Sequence, residues 1–299
     1  MKESEKLVTR REFMKGAGYV AAGVAIGLPT FAEEVLKEPA KSRVVLVRHK
    51  DAVDEKGRVN GEIIRQMLDQ AVTALFDNKD PVACWKQIVK PTDIVGIKSN
   101  EWNYLPTPPE VEQAIKSRVI DAGVPENNIG IDDRGVLSHP IFAKATALIN
   151  TRPMRTHAWS GVGSLLKNYI MFTPDPEKYH PDACADLGAL WQLPMVKGKT
   201  RINVLVALTP LFYGKGWHHF DPNFTWPYKG LLMSTDPVAA DTVGLQLFAA
   251  KRRAHFGEDR PITPPPHHVA IADTRYRLGT SDLKRIELIK LGWEEEVLI

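Results

Sequence analysis

The sequence predicts an α/β fold in which a mostly parallel sheet carries helices on both faces, in Rossmann-like layers. Strand and helix signals alternate along the chain, which is the pattern of parallel strands joined by helical crossovers. The run at residues 201–208 is the most apolar strand signal, as expected of a central strand that is buried on both faces. The sequence shows no internal repeat and no low-complexity segment that would favour another architecture.

The first half of the chain contains strand and helix signals in turn. Arg43–Arg48 is a short β-branched run that predicts the first strand. Asn60 precedes a predicted helix whose apolar residues recur at steps of one and three between Ile63 and Phe76, so that one face is apolar. Asp93–Lys98 predicts the second strand, and Pro108 begins the second helix.

The second half adds further strands and one well-marked helix. The predicted strands are short apolar runs at Asn128–Asp132, Ala147–Asn150, Arg201–Leu208, Leu231–Met233 and His268–Ala272. Asp236 is a good N-cap and Pro237 is favoured at the first helical position, so a helix is expected from here to about His255.

The charge of the chain is concentrated at its N-terminus. The 299 residues contain 39 Lys and Arg and 36 Asp and Glu, a net charge of +3, and residues 1–32 hold five basic against three acidic side chains. The remaining body is therefore nearly neutral, which argues against a nucleic-acid-binding domain with a large basic face. With 43% hydrophobic residues the body can form a core, which argues against a disordered acidic protein.

Residues 1–32 resemble a twin-arginine (Tat) signal peptide. The motif is Thr9-Arg10-Arg11-Glu12-Phe13-Met14-Lys15, and a weakly apolar run from Gly16 to Phe31 follows it. This run is shorter than the about 20 apolar residues of a membrane span, and it ends in the small residues that a signal peptidase reads. The resemblance implies transport by the Tat translocase to the periplasm or another extracytoplasmic compartment, with residues 33–299 as a single α/β domain. An ordinary N-terminal helix and an uncleaved anchor are the alternatives.

The two cysteines, Cys84 and Cys184, are expected to be free and buried rather than bonded, although an oxidising compartment would permit a disulfide. Two thiols cannot supply the four thiolates of a cubane iron–sulfur cluster, so no such cluster is expected.

The segment from His157 to Lys167 is the first candidate site. Here the chain leaves a strand, passes Gly161 and Gly163 and enters a helix. The glycines would let the backbone approach a ligand, and the helix N-terminus would offer N–H donors to an anion. His157 and Lys167 would bind a phosphate or carboxylate, or transfer a proton near neutral pH. The alternative is a structural strand–turn–helix joint.

Other candidates lie at predicted strand ends and in loops. Lys98 and Asn100 end a strand, where Lys98 could pair with an anionic ligand and Asn100 could donate to it. Asp132 and Asp133 point to opposite faces of an extended segment, so one could bind a hydroxyl or a cation while Arg134 balances the other. One histidine of the pair beginning at His218 is a candidate for a pocket wall, Asp236 is expected to be a helix cap, and Asp241 is positioned for an ion pair with a nearby base.

Three separated segments resemble the domain-of-unknown-function (DUF) 362 family. They are Asp93–Asn100, Arg155–His157 together with Gly161, Gly163 and Leu166–Asn168, and Gly230–Asp241. The resemblance implies an α/β fold but no settled activity. Many relatives carry a ferredoxin-like module with cysteine clusters, which this chain lacks, so an iron–sulfur role does not carry over.

The chain is more distantly similar to the nickel-pincer lactate racemases, which have a His, a Gly four places later and a Lys ten places after the His. His157, Gly161 and Lys167 stand at these spacings. The resemblance implies an acid/base role for His157 and a cofactor contact or tether for Lys167. It implies a nickel-type metal at His180, with His218 as the second candidate ligand. The chain departs from that family at Ser164-Leu165-Leu166, where the racemases continue with Gly and Arg.

Two classes of function remain. The first is an exported enzyme or cofactor-binding protein, of redox or isomerase type, that acts on a small anionic substrate. It predicts histidines that converge on one pocket with Lys98 and Lys167 in its wall. The second is a non-catalytic periplasmic protein that binds a ligand or a protein partner. It predicts an aromatic pocket formed by Trp217, Phe220, Trp226 and Tyr228, with the histidines scattered.

Overall fold

The computed structural model describes residues 41–214 and 220–299. The proposed leader therefore lies outside the described residues, as does the segment that holds Trp217, His218 and His219. Lys41–Ile299 forms one compact unit.

The centre of this unit is a mixed sheet. The described strands are β1 (Ser42–Arg48), β2 (Val95–Lys98), β3 (Ile129–Asp132), β4 (Ala147–His157), β5 (Gly161–Gly163), β6 (Thr200–Leu211), β7 (Gly230–Ser234) and β8 (Ile286–Gly292). Their order across the sheet is β3-β2-β4-β6-β7-β1-β8, with β5 paired to β4. Strands β3, β2, β4 and β6 run parallel, as do β1 and β8, whereas β7 is antiparallel to both of its neighbours. This arrangement confirms the predicted α/β fold with a mostly parallel sheet.

Four of the described α-helices begin after a residue whose side chain caps them. The described α-helices are α1 (Gly61–Phe76), α2 (Pro81–Ile88), α3 (Pro109–Asp121), α4 (Pro140–Lys144), α5 (Leu165–Asn168), α6 (Pro181–Cys184), α7 (Pro237–Phe256) and α8 (His267–Thr274). The Asn60 side chain accepts a hydrogen bond from the Ile63 N–H at the start of α1. The Asp236 side chain accepts one from the Ala239 N–H at the start of α7, which confirms it as a cap. None of the described helices is long and apolar enough to cross a membrane.

Apolar side chains of β1 alternate between the two faces of the sheet, as the period of a strand requires. Val45 and Val47 join a core cluster with α1, α2 and α3. Val44 and Leu46 point the other way and join a cluster with α7. A third cluster packs parts of α5 and α8 against Leu148 of β4. Both faces of the sheet are therefore covered by helices.

The structure corrects one predicted strand. Residues 268–272 belong to helix α8, because His268, Val269 and Ala272 are buried at steps of one and three. A run of five mostly apolar residues does not distinguish a strand from a buried helix by periodicity alone.

The sequence also left two strands unpredicted. The three-residue β5 is too short for a periodic signal. β8 lies at the sheet edge and includes the charged residues Glu287 and Lys290, so it lacks the apolar run of a central strand. It pairs along the full length of β1 and completes the sheet on that side.

Candidate functional site

The candidate site lies where parallel strands β2, β3 and β4 end. In open parallel sheets ligands bind at this edge. Here β4 continues to His157, turns back through β5 and enters α5. Strand β4 is buried over its whole length, so the polar side chains near its end are enclosed by the fold.

Lys98 is fully buried at the end of β2, and its ammonium group is satisfied by protein groups. It forms an ion pair with Asp133 and donates to the Ser99 carbonyl oxygen at 2.7 Å and to Asn168 Oδ1 at 3.4 Å. Burial favours the neutral form of Asp133, but the charge and hydrogen bond of Lys98, the hydrogen bond from the Glu101 N–H and the charge of Arg152 together outweigh it, and the pKa of the carboxyl is lowered. Lys98, which the sequence predicted to pair with an external anion, thus pairs with Asp133 inside the protein. The base beside Asp133 is Lys98 rather than Arg134.

Asn168 connects this ion pair to the neighbouring strand, whereas Asn100 is held within the loop after β2. Asn100 is held by its backbone, whose N–H donates to Thr107 Oγ1 at 3.2 Å, and its buried Oδ1 has no partner among the described residues. Asn168 Nδ2 donates to the Lys98 and Thr151 carbonyls and to Asn150 Oδ1. The side chain of Asn168 therefore ties α5 to both β2 and β4.

Two arginines near the end of β4 have unsatisfied guanidinium groups. Arg152 and Arg155 are 3% and 4% exposed. Arg152 Nε and Arg155 Nε and Nη1 are buried and have no hydrogen-bond partner among the described residues. The Arg155 guanidinium lies 4.1 Å from the centre of the Trp102 ring. Burial lowers the pKa of Arg152 to about 10, and burial together with the charge of Arg152 lowers that of Arg155. Buried N–H donors of this kind are complementary to an anion.

Lys167 lies on α5 and is 2% exposed. Its Nζ donates to Cys184 Sγ at 3.5 Å, and no carboxylate of the described chain lies within ion-pair distance. Burial is the main cause that lowers the pKa of Lys167 to about 8, and Arg152 and Arg155 lower it further. The amine is therefore partly neutral near physiological pH.

His157 is buried at the end of β4, and its Nδ1 accepts a hydrogen bond from the Trp159 N–H at 3.2 Å. Burial and the charge of Lys167 lower its pKa, so the ring is neutral at pH 7. Since Nδ1 is an acceptor, the proton of the neutral ring is assigned to Nε2. The imidazole thus presents an N–H donor rather than a lone pair at Nε2.

His180 is half-buried beside this group, and its ring centroid lies 4.1 Å from that of Trp159. Burial, and next the charge of Lys167, lowers the pKa of His180 to about 4. His218 lies outside the described residues. Within the described ranges, no three His, Cys, Asp or Glu side chains are grouped to hold a metal ion. The positive charges of Lys167, Arg152 and Arg155 also disfavour a metal cation near His157. The described residues therefore do not fit a metal ion.

Gly161 and Gly163 make close backbone contacts with the protein itself. A Cβ on Gly161, whose φ is +71°, would stand 2.1 Å from the Pro264 carbonyl oxygen. A Cβ on Gly163 would stand 2.9 Å from Arg152 Nη2. The two glycines therefore allow the β5 hairpin to close over Arg152 and against the loop before α8.

The expectation of free N–H donors at the start of α5 is wrong, because Asp241 occupies them. Its carboxylate accepts hydrogen bonds from the Leu165 N–H at 3.0 Å, the Leu166 N–H at 2.9 Å and the Ser164 hydroxyl at 2.7 Å. Asp241 is thus a cap for α5, and it forms no ion pair with any other residue that the structure describes. Burial raises its pKa to about 6 against the effect of these hydrogen bonds.

His268 on α8 is the histidine that the sequence reading missed. It is fully buried, and neither ring nitrogen has a hydrogen-bond partner among the described residues. Burial, and next the charges of Lys167 and Arg152, lowers its pKa to about 3. The sequence places two Arg and one His together at residues 152–157, but the predicted strand ended at Asn150, and no local pattern indicated that β4 continues to His157 and buries these side chains.

We use the term basic cluster for these side chains: Arg152, Arg155, His157, Lys167 and His268. With Lys98, the described chain buries four lysine and arginine side chains here, and two buried carboxylates, Asp133 and Asp241, accompany them. One carboxylate is paired with Lys98 and the other caps α5. The arginines and Lys167 therefore keep an excess of positive charge in the interior.

A cavity of about 620 Å³ lies next to the basic cluster, and Thr156 is part of its wall. The Thr156 hydroxyl is buried without a described partner. The other walls come from the loop after β6, from one residue of α7 and from the residues that follow α7: Tyr213 and Gly214, then Arg252, then Asp259, Arg260, Pro261, Ile262 and Thr263. Arg252 is held by carbonyl oxygens of Phe212, Arg260 and Pro261, so it shapes this wall.

The aromatic residues that sequence analysis grouped do not form one pocket among the described residues. Trp226 and Tyr228 are buried in the core beside α7. Phe220 packs instead against Trp102 and Tyr104, at centroid distances of 5.9 and 5.1 Å. The described histidines that gather around Lys167 are His157, His180 and His268.

Residues 121–246 match the family model described as Domain of unknown function (DUF362). This match supports the resemblance to that family over the segment that holds Asp133, both arginines, His157, Lys167 and Asp241. No curated protein and no solved structure matches the chain.

Proposed function

We propose that this chain is an exported enzyme of the DUF362 type that binds a small anionic substrate in the basic cluster. The observation that carries the proposal is the pair Arg152 and Arg155, whose buried N–H donors lack partners among the described residues. An unpaired buried charge is costly, and a bound carboxylate or phosphate would offset that cost. The planar guanidinium group suits the two oxygens of such an anion.

Two groups of the basic cluster support an enzymatic role over simple binding. Lys167, with a pKa of about 8, can accept or release a proton at Nζ near neutral pH. The neutral ring of His157 can donate through Nε2. In this mechanism the arginines hold the anion, Lys167 exchanges a proton with it, and His157 stabilises negative charge that develops on a substrate oxygen.

The arrangement of rings and histidines also favours the enzyme over a non-catalytic ligand-binding or assembly protein. Three histidines of the described chain, His157, His180 and His268, lie near Lys167, whereas Trp226 and Tyr228 are buried in the core. Lys98 does not face the substrate in this proposal. It helps to hold α5 in place through its contacts with Asp133 and Asn168. A nickel-type cofactor is not part of the proposal, since the described residues do not fit a metal ion.

Export through the Tat translocase is part of the proposal and is supported by the twin-arginine motif at residues 9–15. The route carries folded proteins, which fits a periplasmic enzyme whose site is formed by segments as distant as Lys98 and His268. We include a protein partner in the proposal as a companion in export.

Isothermal titration calorimetry with phosphate and with oxalate measures the affinity for anions and so tests the proposal. The unmodified protein should bind at least one of them, and Arg155→Met should weaken binding at least about tenfold, because truncation of a buried charged partner costs about 2–5 kcal/mol. Arg253→Met is the matched control, since Arg253 is exposed on α7 and pairs with Asp259. Equal affinities for the unmodified protein and Arg155→Met would refute the proposed role of the arginines.

A further inference from the structure

Lys98 and Lys167 are both buried, but they have different partners. Lys98 is paired with Asp133 and hydrogen-bonded to two further oxygens. Lys167 Nζ contacts only the Cys184 thiol by hydrogen bonding among the described residues. Burial raises the pKa of Cys184, so the thiol is not a full counter-charge at pH 7, although its charge and its hydrogen bond raise the pKa of Lys167 against the larger effect of burial. Burial without a carboxylate partner and beside other cations favours the neutral form of an amine. The neutral amine is the nucleophilic form of lysine.

The backbone holds the thiol in this position. Asp182, Ala183 and Cys184 have φ values of 49°, 52° and 64°, so the short element α6 is a left-handed turn of three non-glycine residues and not a right-handed helix. Such a turn is costly and persists only where the surrounding structure supports it. It fixes Cys184 against Lys167, so that the amine is oriented by a weak neutral acceptor instead of a carboxylate.

We propose that Lys167 is the nucleophile that forms an imine with the carbonyl carbon of a small 2-oxo acid whose carboxylate is held by Arg152 and Arg155. This inference rests on the proposed function and names its substrate class. The cluster offers one group for each part of such a molecule: guanidinium N–H donors for the carboxylate, an amine for the carbonyl carbon and the His157 Nε2–H for the carbonyl oxygen.

The reaction balances without an oxidant or a reductant. The lone pair of neutral Lys167 Nζ forms the C–N bond, and the carbonyl π electrons move to oxygen, where the negative charge accepts a hydrogen bond from the His157 Nε2–H. The ammonium formed on nitrogen transfers one proton to this oxygen and gives a neutral carbinolamine, and the second proton passes from nitrogen to the same oxygen as the C–O bond breaks. The oxygen leaves as water with both hydrogens of the amine, and a C=N bond remains. The pKa of about 8 supplies a neutral amine for the first step.

Trapping with pyruvate and sodium borohydride tests the inference on the full chain. Reduction converts an imine into a stable secondary amine, so intact mass should show one reduced pyruvate per chain, and peptide mapping should place it on Lys167. The yield should rise as the pH is raised through about 8, where Lys167 loses its proton. Oxalate, which has two carboxylates but no ketone, should suppress labelling by competing for the arginines.

Two variants accompany the trapping. Lys167→Arg keeps the charge but cannot form the imine, and it should lose the adduct. Lys197→Arg changes an exposed lysine and should label as the unmodified protein does. Peptide mapping of the unmodified protein gives the site even where Lys167→Arg does not fold.

The outcomes separate the inference from the proposed function. If oxalate or phosphate binds through the arginines but pyruvate leaves no adduct on Lys167, the imine is wrong and anion binding stands. If labelling spreads over surface lysines and oxalate does not suppress it, the imine is also wrong. If neither anion binds and no adduct forms, both proposals fail.

Discussion

The difference between Lys98 and Lys167 shows how partners decide what a buried charge does. Both side chains are enclosed, yet one belongs to an ion pair and the other is held by a thiol. A paired charge maintains local structure, whereas an unpaired buried charge lowers stability. Such a charge is retained only where function requires it. Lys167 should therefore behave as a destabilising residue in the absence of ligand.

We expect Lys167→Met to stabilise the protein at pH 7. The pKa of Lys167 falls from 10.5 to about 8 on folding, and at about 1.4 kcal/mol per pKa unit the gain is up to about 3 kcal/mol. Between pH 8 and 10.5 the unfolded chain binds more protons at this residue than the folded chain. Stability of the unmodified protein therefore rises with pH across that window, and the advantage of the variant disappears above it. Urea unfolding at pH 7 and pH 10.5 measures both effects.

Lys197→Met is the control for this experiment, because Lys197 is exposed and its removal should change stability by less than about 0.5 kcal/mol. If Lys167→Met unfolds at the same urea concentration as the unmodified protein at pH 7, Lys167 has a counter-charge that the described contacts lack.

Part of the site could be predicted from single residues and part could not. His157 and Lys167 were found because they flank two glycines in a short segment. Arg152, Arg155 and His268 were not predicted, since a charged residue in a strand gives no sign of whether it reaches solvent. That depends on segments far along the chain, such as Trp102 under Arg155 and α8 beside Lys167.

At the scale of elements, the β4–β5 hairpin and α5 form the unit that presents His157 and Lys167. The unit is held at three points that involve other parts of the chain. Asp241 of α7 caps α5, Asn168 joins it to β2 and β4, and Gly161 packs on the carbonyl of Pro264. The glycines predicted to approach a ligand instead make this packing possible.

Substitution at Gly161 tests that packing. Gly161 and Gly198 both have φ near +71°, but a Cβ on Gly198 would meet no atom within 4 Å, whereas one on Gly161 would collide with Pro264. Gly198→Ala should cost about 1–2 kcal/mol for the left-handed conformation alone. Gly161→Ala should cost about 1–3 kcal/mol more, which is the usual range for an added methyl group in a packed site.

Denaturant unfolding measures the loss in free energy of unfolding for Gly161→Ala and for Gly198→Ala. The difference between the two losses gives the cost of the contact with Pro264 apart from the cost of the positive φ. Equal losses of stability would show that the hairpin does not press against the loop before α8.

At the scale of the whole molecule, the sequence predicted the layers of the fold but not their order. The alternation of strand and helix signals was enough for a mostly parallel sheet covered on both faces. The position of β7 between β6 and β1, antiparallel to both, follows from long-range pairing such as that of Val45 with Met233. No local pattern carries that information, and the edge strand β8 was missed for a related reason, because its residues are only half-buried.

The proposed export also concerns the whole molecule, and it depends on residues 1–32, which lie outside the described part of the chain. We expect the double variant Arg10→Lys and Arg11→Lys to remain in the cytoplasm of the expressing cell, while the unmodified protein reaches the periplasm. The basic pair is the feature that the twin-arginine resemblance depends on, and lysine preserves the charge without the motif. Cell fractionation measures the distribution, and intact mass of the exported form should correspond to a chain that begins at Glu33.

The control is the variant Lys2→Arg and Lys6→Arg, which also exchanges two basic residues of the leader but leaves Arg10 and Arg11 in place, and it should be exported normally. Export of the Arg10→Lys and Arg11→Lys variant at the unmodified level would assign the leader to another route. The protein would then cross the membrane before folding, and the basic cluster would have to form and bind its anion outside the cytoplasm. A protein carried by the Tat translocase, in contrast, would leave the cytoplasm already folded, with residues as distant as Lys98 and His268 assembled around the site.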